Sequence, residues 1–150
     1  MSLSERLNQD LKDAMRARDQ VRLTVIRGIK SAVTEAETRK ERKSVDDSDI
    51  LGIIAKEVKE RREVLTEFER AGRTDLVEKA LQEIEVLSEY LPEPLSAEQI
   101  HVLVVEAVRA TGATDSSGLG KVMGWLQPRI RGRADGKEVS RHVKEVLGSS

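Results

Sequence analysis

Apolar residues recur at three- and four-residue intervals along the chain, and no stretch alternates with a period of two. The pattern therefore predicts helices throughout and no strands. Ser2 and Glu5 read as a capping box ahead of a first stripe of Leu7, Leu11, Ala14 and Met15. After Asp19, which can cap or join a second helix, Ile26, Ile29, Val33 and Ala36 share a face. The stretch "TRKERKSVDDSD" breaks the pattern and reads as a solvated connection. A long helix is expected from about Asp46 to Ser48 onward, with Leu51, Ile54, Val58, Leu65 and Phe68 at heptad-like spacing. "AGRTD" offers a stop at Gly72 and a new cap at Thr74 or Asp75. The fourth stripe is Val77, Leu81, Ile84, Leu87 or Ser88, and Leu91.

"YLPEPLS" then interrupts the chain. Proline cannot continue a helix, and it pushes its predecessor toward extended geometry. A domain border is expected between Pro92 and Leu95, giving domains at 1–92 and 95–150. Ser96 is placed to cap a fifth helix carrying Ile100, Leu103, Val104, Ala107 and Val108. "TGATDSSG" ends it and leads into a short helix from about Lys121 to Leu126, which Pro128 should close. Asp135 and Glu138 form a further capping-box pattern before Val139, Val143, Val146 and Leu147. The fold class is all-α: a four-helix amino-terminal domain followed by three short helices. The second part is small for an independent core and is expected to lean on the first or on a partner.

Composition narrows the function classes. The chain has 150 residues, 35% charged and 2% aromatic, with no cysteine. That excludes disulfides, thiolate metal sites and cysteine catalysis. No window approaches the ~20 apolar residues of a membrane span, and the amino terminus lacks a signal-peptide pattern. A cytoplasmic protein that contacts no membrane is expected. Net charge is −1, but it is divided: +4 over residues 1–43, −8 over 44–100 and +3 over 101–150. The densest basic run lies between Lys121 and Lys137.

That run sits in "SSGLGKVMGWLQPRIRGRADGKEVSRHV". A phosphate-binding loop would need glycine at Asp115 and Ser or Thr at Val122, after a strand. A dinucleotide fingerprint would need glycine at Met123. Neither motif is present. Gly120 and Gly124 are four apart and share one helical face. Such a face suits either tight helix packing or close approach of a sugar–phosphate backbone. Gly124 is expected to pack and Gly120 to contact the ligand. Arg129, Arg131 and Arg133 flank a turn at Gly132, and Lys137 lies near the start of the last helix. Guanidinium forks match phosphate oxygens. Arg131 and Arg133 are expected in an exposed turn that contributes little to stability. Trp125, the only tryptophan, reads as a core residue rather than a base-stacking platform. His101 and His142 are far apart with no ligand spacing, and His142 reads as ordinary surface; no metal or cofactor is expected. Glu57, Glu60, Glu63 and Glu67 lie among Lys and Arg on a solvated helix face. No nucleophile–base pair stands out.

"DLKDAMRARDQVRLTVIRGIKSAV", "EYLPEPLS" and "GLGKVMGWLQPRIRGRADGKEV" together resemble the YqeY-like family of small bacterial proteins, over nearly the whole chain. The family's carboxy-terminal domain is similar to the tail domain of the B subunit of glutamine-dependent aminoacyl-tRNA amidotransferase. That tail is a helical appendage that helps hold tRNA. The resemblance implies a small orthogonal bundle after the first domain, and Gly120, Lys121, Gly124, Arg131, Arg133 and Lys137 as the matching tRNA-binding positions; Arg129 joins them by its place in the basic run. Leu119 stands where the family often has methionine and Trp125 where it often has a small residue; both look like packing changes. The implied function is a noncatalytic accessory protein directed at tRNA or another structured RNA. The alternative is a protein–protein adaptor for translation or amidotransferase machinery, docked through the acidic middle helices. A third reading is a carbon–nitrogen ligase with glutamine as amido-N-donor, although 150 residues leave no room for the ammonia-generating machinery.

Overall fold

The computed structural model describes residues 1–39 and 45–148, and the described residues hold seven α-helices and no strand. They are α1 (Leu3–Ala17), α2 (Gln20–Arg39), α3 (Asp47–Arg70), α4 (Thr74–Ser88), α5 (Ala97–Thr111), α6 (Leu119–Ile130) and α7 (Gly136–Gly148), with a short 3₁₀ turn at Ser116–Gly118. The chain is thus all-α. The middle of the predicted connection at 38–49, residues 40–44, lies outside the described residues. The chain divides into two compact units, Met1–Leu91 and Pro92–Ser150.

Local chemistry sets most helix ends. Ser2 accepts from the Glu5 amide at 3.1 Å, which is its half of the predicted box. Asp19 caps α2 by accepting from the Arg22 amide at 3.1 Å. Asp46 with Asp49, and Ser96 with Gln99, close full reciprocal boxes at α3 and α5. Gly72, at φ +67°, takes the left-handed turn after α3. One predicted cap is corrected: α4 begins at Thr74 behind Arg73, with no side-chain cap. At the start of α7, Asp135 accepts from the Lys137 amide at 3.0 Å.

The first unit buries Leu7, Ile26, Ile29, Ile50, Ile54 and Leu87 at its centre. Two residues of the predicted stripes are corrected: Met15 is 54% exposed and Leu81 50% exposed. The buried line of α4 runs through Ala80, Ile84 and Leu87, so Leu81 is turned about a quarter of the helix away from it. Polar groups tie the ends of this unit. The Tyr90 hydroxyl donates to Asp10 Oδ2 at 2.5 Å, with the Arg6 guanidinium 4.5 Å above the ring. Burial, then the bond to Asp10, pushes the Tyr90 hydroxyl pKa up. Arg22 donates to both Glu89 oxygens at 2.6 and 2.8 Å, which holds the Glu89 carboxyl below its usual range. Between α3 and α4, Arg61 lies 3.0 Å from Glu83 and 3.9 Å from Glu57. Glu57 is therefore not the solvated face residue that its sequence context predicts. One of its oxygens is buried without a hydrogen bond.

The second unit has a core of its own. Val104 and Ala107 of α5, Val122, Leu126 and Ile130 of α6, and Val139, Val143 and Leu147 of α7 are all buried. Pro128 does not close α6 where the pattern predicted. It lies inside the helix, which continues to Ile130. Ile130 is 1% exposed, and the Arg131 amide still donates to the Gln127 carbonyl at 3.1 Å. Burial of that last turn outweighs the one backbone bond that proline removes.

Candidate nucleic-acid interface

α6 is two-sided. Asp115 caps the 3₁₀ turn that leads into it, accepting from the Ser117 hydroxyl at 2.5 Å and amide at 2.9 Å, bonds that draw the Asp115 carboxyl below its usual range. Val122, Leu126 and Ile130 face the core. Gly120, Lys121, Gly124, Gln127 and Pro128 are exposed on the other side. A Cβ added at Gly120 or Gly124 would meet nothing within 4 Å. The packing role expected of Gly124 is therefore corrected: both glycines present bare backbone. The tight glycine is Gly118, where a Cβ would come within 2.6 Å of the Ala113 Cβ. Pro128 has no N–H for the Gly124 carbonyl, which leaves that carbonyl without its usual helical donor.

Beside this face runs a groove between α6 and α7. Its walls include Met123 and Gln127 from α6 and Lys137, Ser140, Arg141 and Lys144 from α7. The three cations stand at i, i+4 and i+7, the spacing that puts side chains on one helical face. Among the described residues no carboxylate lines the groove. None of the three cationic side chains has a hydrogen-bond or ion-pair partner among the described residues; only the backbone amide of Lys137 is taken, by Asp135. Gln127 belongs both to the groove and to the glycine face, so the two form one continuous surface. Lys121 stands at the far edge of the glycine face.

The sequence-predicted residues separate. Gly120, Lys121 and Gly124 come together along α6, and Lys137 joins them across the groove. Arg129 does not. It lies nine residues from Gly120 and emerges on the opposite side of the helix. There its guanidinium stacks 3.6 Å from the Trp125 ring centre and donates to the Trp125 carbonyl. Trp125 itself is half-buried against the second core. Arg131 and Arg133 sit in the turn after α6, made by Gly132 at φ +77°. Both are half-buried, not exposed as predicted, and Arg133 is structurally committed. Its Nε donates to the Glu93 carbonyl at 3.2 Å, and its own carbonyl accepts from the Leu95 amide at 2.9 Å. This clips the proline segment onto the turn. Arg131 also has partners.

Sequence reasoning missed Gln127, Ser140, Arg141 and Lys144. The signal is present as the spacing Lys137-x₃-Arg141-x₂-Lys144, but the Arg129–Arg133 run is denser in basic residues and masks it. Sequence reasoning also separated His101 from His142. The structure brings them together across α5 and α7, with Nδ1 and Nε2 2.8 Å apart and the rings edge to face. Glu145 lies 3.7 Å from His142 Nδ1. Among the described residues no group of three or more His, Cys, Asp or Glu is arranged to hold a metal, and no helix is long and apolar enough to cross a membrane.

A family model described as "Yqey-like protein" matches residues 4–147. The protein named "Altered inheritance of mitochondria protein 41, mitochondrial" from Pyrenophora tritici-repentis is 34% identical over 147 residues, covering 96% of this chain and 80% of its own. Its namesake from Kluyveromyces lactis is 38% identical over 103 residues, covering 67% of this chain and 55% of its own. That from Lachancea thermotolerans is 36% identical over 93 residues, covering 61% and 50%. The chain thus spans about half the length of the last two. These names overturn the cytoplasmic expectation, since the similar proteins are mitochondrial by name.

Proposed function

The chain belongs to the YqeY-like family, and from that premise we propose that its carboxy-terminal unit is a noncatalytic RNA-binding module that grips structured RNA, tRNA first among candidates, by its backbone. The observation that carries the reading is the trio of Lys137, Arg141 and Lys144, three cations without carboxylate partners in one groove. Unpaired cations in a groove attract phosphates without an ion pair having to be broken first. Their spacing along α7 covers about 10 Å, room for more than one phosphate of a strand. The bare glycine face beside the groove lets a ribose edge approach closely. The Gly124 carbonyl there can accept a hydrogen bond from a 2′-hydroxyl, the group by which a protein tells RNA from DNA. Contacts of this kind favour shape over sequence. The mitochondrial names of the similar proteins support a mitochondrial RNA as the ligand.

An electrophoretic shift of total tRNA by the full chain, repeated across a salt series, tests this. Binding is expected to weaken as salt rises, with a log–log slope of about −2 to −3 for three neutralised phosphates. No shift at low salt, or a slope near zero, rules the reading out.

A further inference from the structure

Away from the basic groove, the first unit carries an apolar surface that its own core does not use. The buried residues of α3, Ile50, Ile54 and Val58, all lie in its first half. Those of α4 begin only at Ala80. The adjoining ends of the two helices, from about residue 59 to 79, form a hairpin about 18 Å long that contributes no buried residue. The hairpin is nevertheless apolar along one seam. Val64 and Phe68 of α3 face Leu76 and Ala80 of α4 across a groove, and Val64 is 44% exposed. Phe68 and Leu76 are half-buried and Ala80 is buried where the two helices meet, but Val64 stays open to solvent beside them.

The charges around the groove distinguish between possible occupants. Arg61 is already held by Glu83 at 3.0 Å. Among the described residues two lining charges remain outside any ion pair, Glu60 on α3 and Lys79 on α4. A strongly basic or strongly acidic partner would meet one of them with like charge. A two-fold contact places each patch against itself, so it requires a surface that carries both signs and an apolar centre. We propose that this hairpin docks a second copy of the chain, Val64 and Phe68 packing across the two-fold axis and Glu60 of each copy facing Lys79 of the other. Two antiparallel hairpins packed this way make a four-helix arrangement, in which Val64 and the open edges of Phe68 and Leu76 become interior. The inference is independent of RNA binding, which uses the other unit.

Sedimentation equilibrium of the full chain, without RNA and across the micromolar range, tests it. The wild type is expected to show a concentration-dependent monomer–dimer equilibrium. Val64→Glu should be monomeric throughout with an unchanged melting curve, because the position is solvent-exposed. Glu60→Lys and Lys79→Glu should each weaken the dimer about tenfold by setting like charges face to face. The double reversal should restore it, since it exchanges the two signs and keeps the pairing. A wild type that stays monomeric at all concentrations overturns the proposal. So does a dimer that survives Val64→Glu. If Val64→Glu melts early, the charge reversals decide: a double variant no better than the singles overturns the pairing.

Discussion

Gly118 stands where an added methyl would meet the Ala113 Cβ at 2.6 Å, while Gly120 and Gly124 open onto free space. Gly118→Ala is therefore expected to cost ~1–3 kcal/mol of stability, the usual range for overpacking. Alanine at Gly120 or Gly124 should leave the melting temperature unchanged or raise it by the equivalent of up to ~1 kcal/mol, because it removes glycine's entropy cost within a helix. Both substitutions should nevertheless lower RNA affinity, since the methyl holds the backbone of the ligand away. Thermal melts and binding isotherms of the three single variants check this. The helix carrying these glycines was legible from the apolar spacing of Val122 and Leu126. Which glycine is crowded was not, because the turn through Asp115 that brings residue 113 against 118 leaves no mark in helical periodicity. Glu57 was misread for a similar reason: its neighbours in sequence are charged, but its neighbours in space are the α3–α4 interface. Burial, opposed by Arg61, holds its carboxyl above the usual range. The folded protein thus binds that proton more tightly than the unfolded chain does. The resulting stabilisation is complete below the unfolded value and is lost as pH rises through the folded one. Glu57→Gln should therefore melt higher than wild type at pH 7, by about 2–4 °C for each kcal/mol gained, and the gap should close toward pH 4.

α7 presents its hydrophobic and cationic faces with the same period. Val139, Val143 and Leu147 enter the core, and Lys137, Arg141 and Lys144 line the groove. Replacing the three cations together by alanine should abolish most RNA binding and flatten the salt dependence, while the melt moves little, because exposed positions without partners contribute under ~0.5 kcal/mol each. Arg133→Ala should do the reverse. It removes the bond to the Glu93 carbonyl and is expected to cost ~0.5–1.5 kcal/mol with a smaller effect on RNA. A side-by-side comparison of the two variants by calorimetry and gel shift separates gripping residues from clipping ones. Arginine density alone does not make that distinction. Arg129, Arg131 and Arg133 alternate along the chain, yet one stacks on Trp125 and another fastens the preceding segment. The proline signal erred the other way at 128, where burial of Ile130 carries α6 past it.

The two units each bury their own set of side chains, and the tyrosine–proline junction between them was the clearest break in the sequence pattern. A fragment of residues 92–150 is expected to be helical and to unfold cooperatively, at a lower temperature than the intact chain, because about 60 residues bury only ~60% of their surface. Circular dichroism of the excised piece measures this, and a transition as high as that of the intact chain would contradict it. Cutting later, at Ser96, should weaken the fragment further by discarding Glu93 and Leu95, the two residues fastened to Arg133. That fastening also governs digestion. Trypsin recognises Arg133 only in an extended strand, and the turn can extend only after it has let go of Glu93 and Leu95. Cleavage after Arg133 should therefore follow the opening equilibrium of the turn rather than enzyme concentration alone, and Glu93 and Leu95 should be released before the nick appears.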